Sequence, residues 1–196
     1  LWFDSVDLNS VWIKILLTKS ILVVATSLLA FAFIFINLRL AVRATPVMDI
    51  FESFESQDPL TRFREFFNER FLKYRLWGAI GLSLFLGAGA SQLWEQVLLF
   101  INQKSFGVAD PVFQYDVSSY VFGLPLYRLF VSWGFQLVIF TSFIIILFFI
   151  ATGALQLRQG RLPEVSSGAK AHLSVLLAFV ALLKAFAYRL DAMELM

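Results

Sequence analysis

The sequence predicts an all-α integral membrane protein with about four transmembrane helices and short interfacial amphipathic helices. Composition is the first observation behind this. Of 196 residues, 59% are hydrophobic and 15% charged, against about 45–50% and about 25% in a soluble domain. Mean hydropathy is +0.77, a value that suits helices facing lipid on one side and each other on the other. The second observation is four apolar stretches, at 20–38, 76–94, 129–151 and 173–190. Each comes near the ~20 helical residues needed to cross a hydrocarbon core at ~1.5 Å rise per residue. They are continuously apolar and do not alternate, which excludes barrel strands.

Cysteine is absent and there is a single His, so disulfides, iron–sulfur clusters and thiolate metal sites are excluded. The net charge of +2 gives no footprint for nucleic acid, because the basic residues lie beside apolar spans where topology accounts for them. The chain opens Leu1-Trp2-Phe3-Asp4, with neither Met nor a basic segment ahead of an apolar one, and reads as a piece of a longer protein.

Taken in order, 1–19 is a pre-span segment, 20–38 the first span, 39–75 a connection and 76–94 the second span. Residues 95–128 form an aromatic loop, 129–151 the third span, 152–172 a loop, 173–190 the fourth span and 191–196 the exit. Lys and Arg concentrate in cytoplasmic loops. The 39–75 connection holds Arg39, Arg43, Arg62, Arg64, Arg70, Lys73 and Arg75, and the 152–172 loop holds Arg158, Arg161 and Lys170, ten in all. The opposite side holds Lys14, Lys19, Lys104, Arg128 and Arg189, five in all. Both ends of the chain are therefore expected outside a bacterial-type plasma membrane. Trp12, Trp94, Trp133 and Tyr188 near the outer span ends, and Trp77 at an inner end, fit aromatic belts at headgroup level.

Within the 39–75 connection, Thr45-Pro46 and Asp58-Pro59 each put a capping side chain before a proline suited to a first helical turn, so two short helices are expected there. In the second, Leu60, Phe63, Phe67 and Phe71 recur at helical spacing while Arg62, Glu65, Glu69 and Arg70 point elsewhere, the pattern of a helix lying on the inner membrane face. In the second span, Ala79, Ser83, Gly87 and Ser91 stand four residues apart. Small residues at that spacing let helix backbones approach closely, so this row is expected to pack against another helix.

Three segments together resemble the uncharacterised bacterial membrane-protein family UPF0182. They are Leu1-Trp2-Phe3-Asp4-Ser5-Val6; Phe106-Gly107-Val108-Ala109-Asp110-Pro111 through Asp116-Val117-Ser118 and Tyr120-Val121-Phe122 to Leu124-Pro125-Leu126-Tyr127-Arg128; and Ala171-His172-Leu173-Ser174-Val175-Leu176-Leu177 with Leu183-Lys184-Ala185 and Tyr188-Arg189-Leu190-Asp191. The resemblance implies roughly seven spans followed by a large extracytoplasmic region, of which this chain is the N-terminal membrane portion. Asp7-Leu8 departs from the family's usual Gly-Tyr, and the Phe-rich inner connection is a second departure.

Lys184 is the one cation well inside a span, where insertion costs roughly 2.5–3.5 kcal/mol unless the ammonium reaches the interface or finds a partner. Glu95 is the matching acid by depth, and a Lys184–Glu95 pair would suit an ion or proton step, or a structural clamp. His172, at the inner start of the fourth span, is the one candidate cofactor ligand, with an interfacial hydrogen-bonding role as its alternative. The outer loop offers Asp110, Asp116, Tyr120 and Arg128 as a partner surface, or as an interfacial anchor.

Neither a phosphate loop, a nucleophile elbow nor a zinc helix is present, since Gly87-Ala88-Gly89 lies within a span and does not follow a strand. An enzyme is not expected. A structural or accessory membrane subunit, or an anchor for an extracytoplasmic domain, leads because the spans are almost free of polar residues. A transporter or channel component using Lys184 and Glu95 is the alternative, and a pigment- or cofactor-holding subunit using His172 the second. No bound cofactor is expected beyond lipid contacts; the partners expected are membrane lipid and other membrane subunits or further copies of the chain.

Overall fold

The computed structural model describes residues 9–45, 59–156 and 164–195, with backbone alone for 59–73. The described chain is almost entirely helical. Helix α1 is Asn9–Ala44, α2 is Pro59–Ala88, a 3-10 segment Gly89–Leu93 leads to α3 at Trp94–Ile101, a π turn Ser119–Gly123 leads to α4 at Leu124–Ala151, and α5 is Ser167–Glu194. Among the described residues, four stretches are long and apolar enough to cross a membrane: Asn9–Ala44, Tyr74–Ile101, Ser119–Ala151 and Ser167–Glu194.

Helix α1 runs 36 residues without Gly or Pro, about 54 Å at the usual rise, so the expected pre-span segment is helical from Asn9 and the connection is helical as far as Ala44. It stops where Pro46 excludes the α conformation at the preceding residue. There the Thr45 hydroxyl and N–H both donate to the Ala41 carbonyl, at 2.9 and 3.1 Å. The helix expected to begin at Thr45-Pro46, the Leu1 to Val6 motif, and Arg158 and Arg161 lie outside the described residues.

Pro59 does open a helix, as a proline in the first turn should, but that helix is not short. It continues unbroken to Ala88, so the segment expected to lie separately on the membrane face shares one helix with the second span. With no Gly or Pro between Leu60 and Trp77, no helix breaker stops the helix at the membrane boundary. The side chains of its amphipathic face lie outside the described residues.

Two further details differ from expectation. Beyond Ile101, where α3 ends, the aromatic loop holds no separate helix; its Tyr120-Val121-Phe122 stretch lies in the π turn that runs directly into α4, with Pro125 in the first helical turn. The loop after α4 contains a two-residue antiparallel ladder, Leu155 opposite Val165 and Gln156 opposite Glu164. Gly153, at φ 76°, turns the chain out of α4, where glycine supplies a left-handed helix cap without steric cost.

Contacts divide the chain into two compact units, the first comprising the described residues of 1–30, 83–136 and 182–196, the second those of 31–82 and 137–181. In the first, Leu124, Val131, Ala187 and Leu190 form a buried cluster with Tyr120, Phe135 and Met193 against it. In the second, Ile34, Ile145, Phe149 and Leu176 are among the most deeply buried side chains. Many large apolar side chains remain exposed, including Leu28, Phe85, Leu177 and Leu182, far beyond what a water-soluble protein tolerates.

Candidate functional site

Polar side chains within the spans bond mostly to their own helices. Thr26 donates to Leu22 O at 2.6 Å and Thr141 to Leu137 O at 2.7 Å, the back-bonding that lets a hydroxyl sit in an apolar helix. The exceptions mark helix–helix contacts.

In the first unit, Gly87 is buried, and a Cβ there would coincide with the Ser27 side chain of α1 and lie 2.9 Å from its backbone nitrogen. The chain tightens into the 3-10 segment just beyond, and the Leu86 carbonyl ahead of it accepts from another helix while the Gly87 carbonyl lies close to a hydroxyl of α1. The Trp133 indole N–H donates to Leu86 O at 3.2 Å, and the Thr26 hydroxyl lies 3.4 Å from Gly87 O. A helix that changes pitch inside a membrane needs such outside donors. Ser83 is also buried, whereas Ser91 is half-buried and donates to Ala88 O at 2.8 Å. Ala79, the first of the row, is buried in the second unit. Thr26 and Ser27 carry no periodic signal in an apolar run, and Trp133, expected in the aromatic belt, turns its indole N–H onto the Leu86 carbonyl of another helix.

The Lys184–Glu95 pair is not formed. Lys184 is exposed and its ammonium lies 4.6 Å from the centre of the Tyr188 ring, one turn along the same helix, a cation–π geometry. Glu95 is exposed and lines a separate shallow groove with Trp94, Leu98 and Phe122. The flexible lysine stem reaches its aromatic neighbour toward the helix end, so no carboxylate is required. Stability measured for Lys184→Met, Glu95→Gln and the double mutant should therefore be additive within about 0.5 kcal/mol. A coupling well above that would restore the pair.

Arg128 does find acids, but on α5. Its guanidinium pairs with both Asp191 and Glu194, its Nε lying 3.0 Å from Glu194 Oε1. The two acids stand three residues apart on one helix face, where a forked guanidinium reaches both. Arg128 is thus already engaged and is not a free partner-loop cation. The available signal was depth: an Arg beginning one span and two acids ending the next fall at the same level.

The loop aspartates are turned inward on the loop itself. Asp116 accepts from the Ser105 hydroxyl and from the backbone N–H groups of Phe106, Gly107 and Ser118, the last three at 3.1, 3.0 and 2.8 Å. The Ser105 hydroxyl first, then the Ser118 and Phe106 donors, hold its carboxyl well below the usual carboxylate range. Asp110 accepts from the N–H groups of Val112 and Phe113, and its own N–H donates to Tyr115 O at 2.8 Å. Gln114 closes this turn at φ 60°, an uncommon conformation for a residue other than glycine. Two carboxylates thereby staple a loop whose side chains were expected to meet a partner. Tyr120 lines a cavity of about 270 Å³ with Tyr115, Leu124, Tyr127, Phe186 and Arg189.

In the second unit, His172 is buried and its Nε2 lies 3.0 Å from Asn37 Oδ1. Asn37 Nδ2 donates to Phe33 O at 2.8 Å, which orients the amide with its oxygen toward the imidazole. His172 therefore donates through Nε2, leaving Nδ1 enclosed without a hydrogen-bond partner. The Phe149 ring stands edge-on at 5.8 Å. Nε2 is thus engaged by Asn37 and Nδ1 is enclosed. Beside the pair runs a groove of about 630 Å³, lined by Phe33, Ile36, Leu40, Arg43, Val175 and Phe179 among others.

The model of the uncharacterised protein family UPF0182 matches residues 1–196. A UPF0182 protein of Mycobacterium tuberculosis strain H37Rv is 37% identical over 198 residues, covering all of this chain. Those of Rhodococcus jostii and Nocardia farcinica are 34% and 33% identical, again over the whole chain. The chain spans about one fifth of the length of these relatives, 20%, 20% and 19% respectively. No solved structure matches.

Proposed function

Because this chain belongs to the uncharacterised protein family UPF0182, whose curated relatives are some five times its length, 20% of the M. tuberculosis protein being covered, we propose that it is a structural membrane portion of a larger protein. Its role in this reading is to anchor an extracytoplasmic region, with both ends of the segment outside a bacterial plasma membrane, lipid and neighbouring membrane segments as partners, and no catalytic step of its own. One observation carries the proposal: Arg128 and Asp116, two ionic groups at the outer ends of the spans that could have lined a pathway, are spent on architecture. Arg128 clips α4 to α5 through Asp191 and Glu194, and Asp116 locks its own loop. A transport path instead needs polar groups that face water or substrate.

Two measurements on the full-length protein test it. Single cysteines at Ser56 and Ser118 should label from opposite sides of the membrane; labelling of both from one side ends the orientation. In a strain lacking the protein, Lys184→Met and Glu95→Gln should restore the wild-type phenotype fully. A folded, membrane-inserted variant of either kind that fails to complement would move the assignment to transport.

A further inference from the structure

We infer that the groove of the second unit is a binding site for an anionic phospholipid, its headgroup phosphate on Arg43 and one acyl chain along the apolar wall. The groove is built by the last turns of α1 and the first turns of α5. Phe33, Ile36 and Leu40 line one side and Ala171, Val175 and Phe179 the other. Ile36 and Val175 are more than half exposed, at 55% and 54%, so the wall opens sideways from two helices that are each long and apolar enough to cross a membrane. The neighbouring phase is then lipid.

Length and charge select the occupant. Phe33 and Arg43 are ten residues apart on one helix, about 15 Å at the helical rise, which is half of the ~30 Å hydrocarbon core and so one leaflet deep. At that leaflet's edge the groove ends in charge. Arg43 lies in the last turn of α1, is exposed, and among the described residues forms no ion pair. The N-terminus of α5 closes the same end at Gly168, adding the positive end of a helix dipole. The other two polar residues of the wall, Asn37 and His172, bond to each other. That leaves the guanidinium as the group that an anion would meet. A zwitterionic lipid would fit the apolar wall equally well but would bring a cationic headgroup group beside Arg43. The preference should therefore follow headgroup charge, and an arginine near a membrane surface typically changes anionic-lipid binding about fivefold.

The test uses full-length protein in detergent, challenged with equal amounts of phosphatidylglycerol and phosphatidylcholine and read by native mass spectrometry. Photoactivatable phosphatidylglycerol locates the site. Wild type should retain phosphatidylglycerol about fivefold better, with crosslinks in 33–44 and 168–179. Arg43→Gln should bring the two lipids to parity and Arg43→Lys should keep most of the preference, which separates loss of charge from loss of fold. Ala171→Trp, filling the wall, should remove the crosslinks for either lipid. Excess inorganic phosphate should leave lipid retention unchanged. The inference is overturned by parity in wild type, by an Arg43→Gln protein with its preference intact, or by displacement of lipid by phosphate alone. It is equally overturned if a photo-crosslinker at Val175 captures protein, whether a second copy or another segment of the full-length chain.

Discussion

Gly87→Leu should prevent the first unit from assembling, at a cost of about 3 kcal/mol or more, the upper end of what overpacking an interior inflicts. A Cβ at Gly87 meets the Ser27 side chain and stands 2.9 Å from the Ser27 backbone nitrogen. A side chain can rotate away, but a helix backbone moves only by separating the helices. Gly87→Ala should already destabilise, and Ser27→Gly should recover part of that loss by removing the opposing side chain. Gly81 and Gly89 provide the control, since a Cβ at either meets nothing within 4 Å. The thermal midpoint in detergent and the fraction of monodisperse full-length protein are the readouts. Gly87→Leu behaving like Gly89→Leu would remove the close contact from the account.

Gly168→Val should be nearly as damaging, about 2–3 kcal/mol by the same overpacking argument. Gly168 lies in the first turn of α5, just after Ser166, whose hydroxyl accepts the Ala169 N–H as a helix cap. A Cβ at Gly168 would run into the Ala44 carbonyl oxygen, with the carbonyl carbon at 3.1 Å and the Cα at 3.2 Å. All three atoms are backbone, at the point where α1 ends. The expected consequence is separation of the end of α1 from α5, a lowered midpoint, and a weakened Asn37–His172 bond visible in the imidazole nitrogen resonances. Gly134→Ala is the informative comparison. Its nearest atom would be Leu183 Cδ2 at 3.2 Å, the tip of a flexible side chain, so its cost should be well under half as large. Equal costs at 134 and 168 would mean that contact with backbone is not what matters.

How much of this could be read beforehand depends on the range of the physics involved. The four spans were visible in the sequence because insertion into lipid responds to residue composition over a window of ~20 positions. The helix start at Pro59 and the stop before Pro46 follow from the fixed proline ring and the clash it imposes on its predecessor. Of the row Ala79, Ser83, Gly87 and Ser91, which a period of four residues keeps near one helix face, the first three are buried and Ser91 is half-buried.

Pairing between spans was not legible in that way. Lys184 and Glu95 share a depth, but so do Arg128, Asp191 and Glu194, and depth alone does not say which azimuth each side chain takes around its helix. The structure turns Lys184 onto Tyr188 and Arg128 onto the two acids of α5. Asp110 and Asp116 misled for a related reason. An aspartate in a loop can bind a partner or cap its own backbone, and only the folded turn shows the N–H groups converging on it.

The sequence by itself determined that this chain is helical with four stretches long and apolar enough to cross a membrane, because hydropathy and helix propensity are additive along the chain and need no partner; its membership of the UPF0182 family rests on its motifs and on the match over the whole chain. Tertiary structure alone decided that Gly87 meets Ser27, that Asn37 orients His172, that Arg128 clips two helices, and that a groove ends at Arg43. Each of these depends on the rotation of one helix about its axis relative to another, and among uniformly apolar faces in lipid that rotation is set by close packing and a few hydrogen bonds, not by the burial of apolar surface.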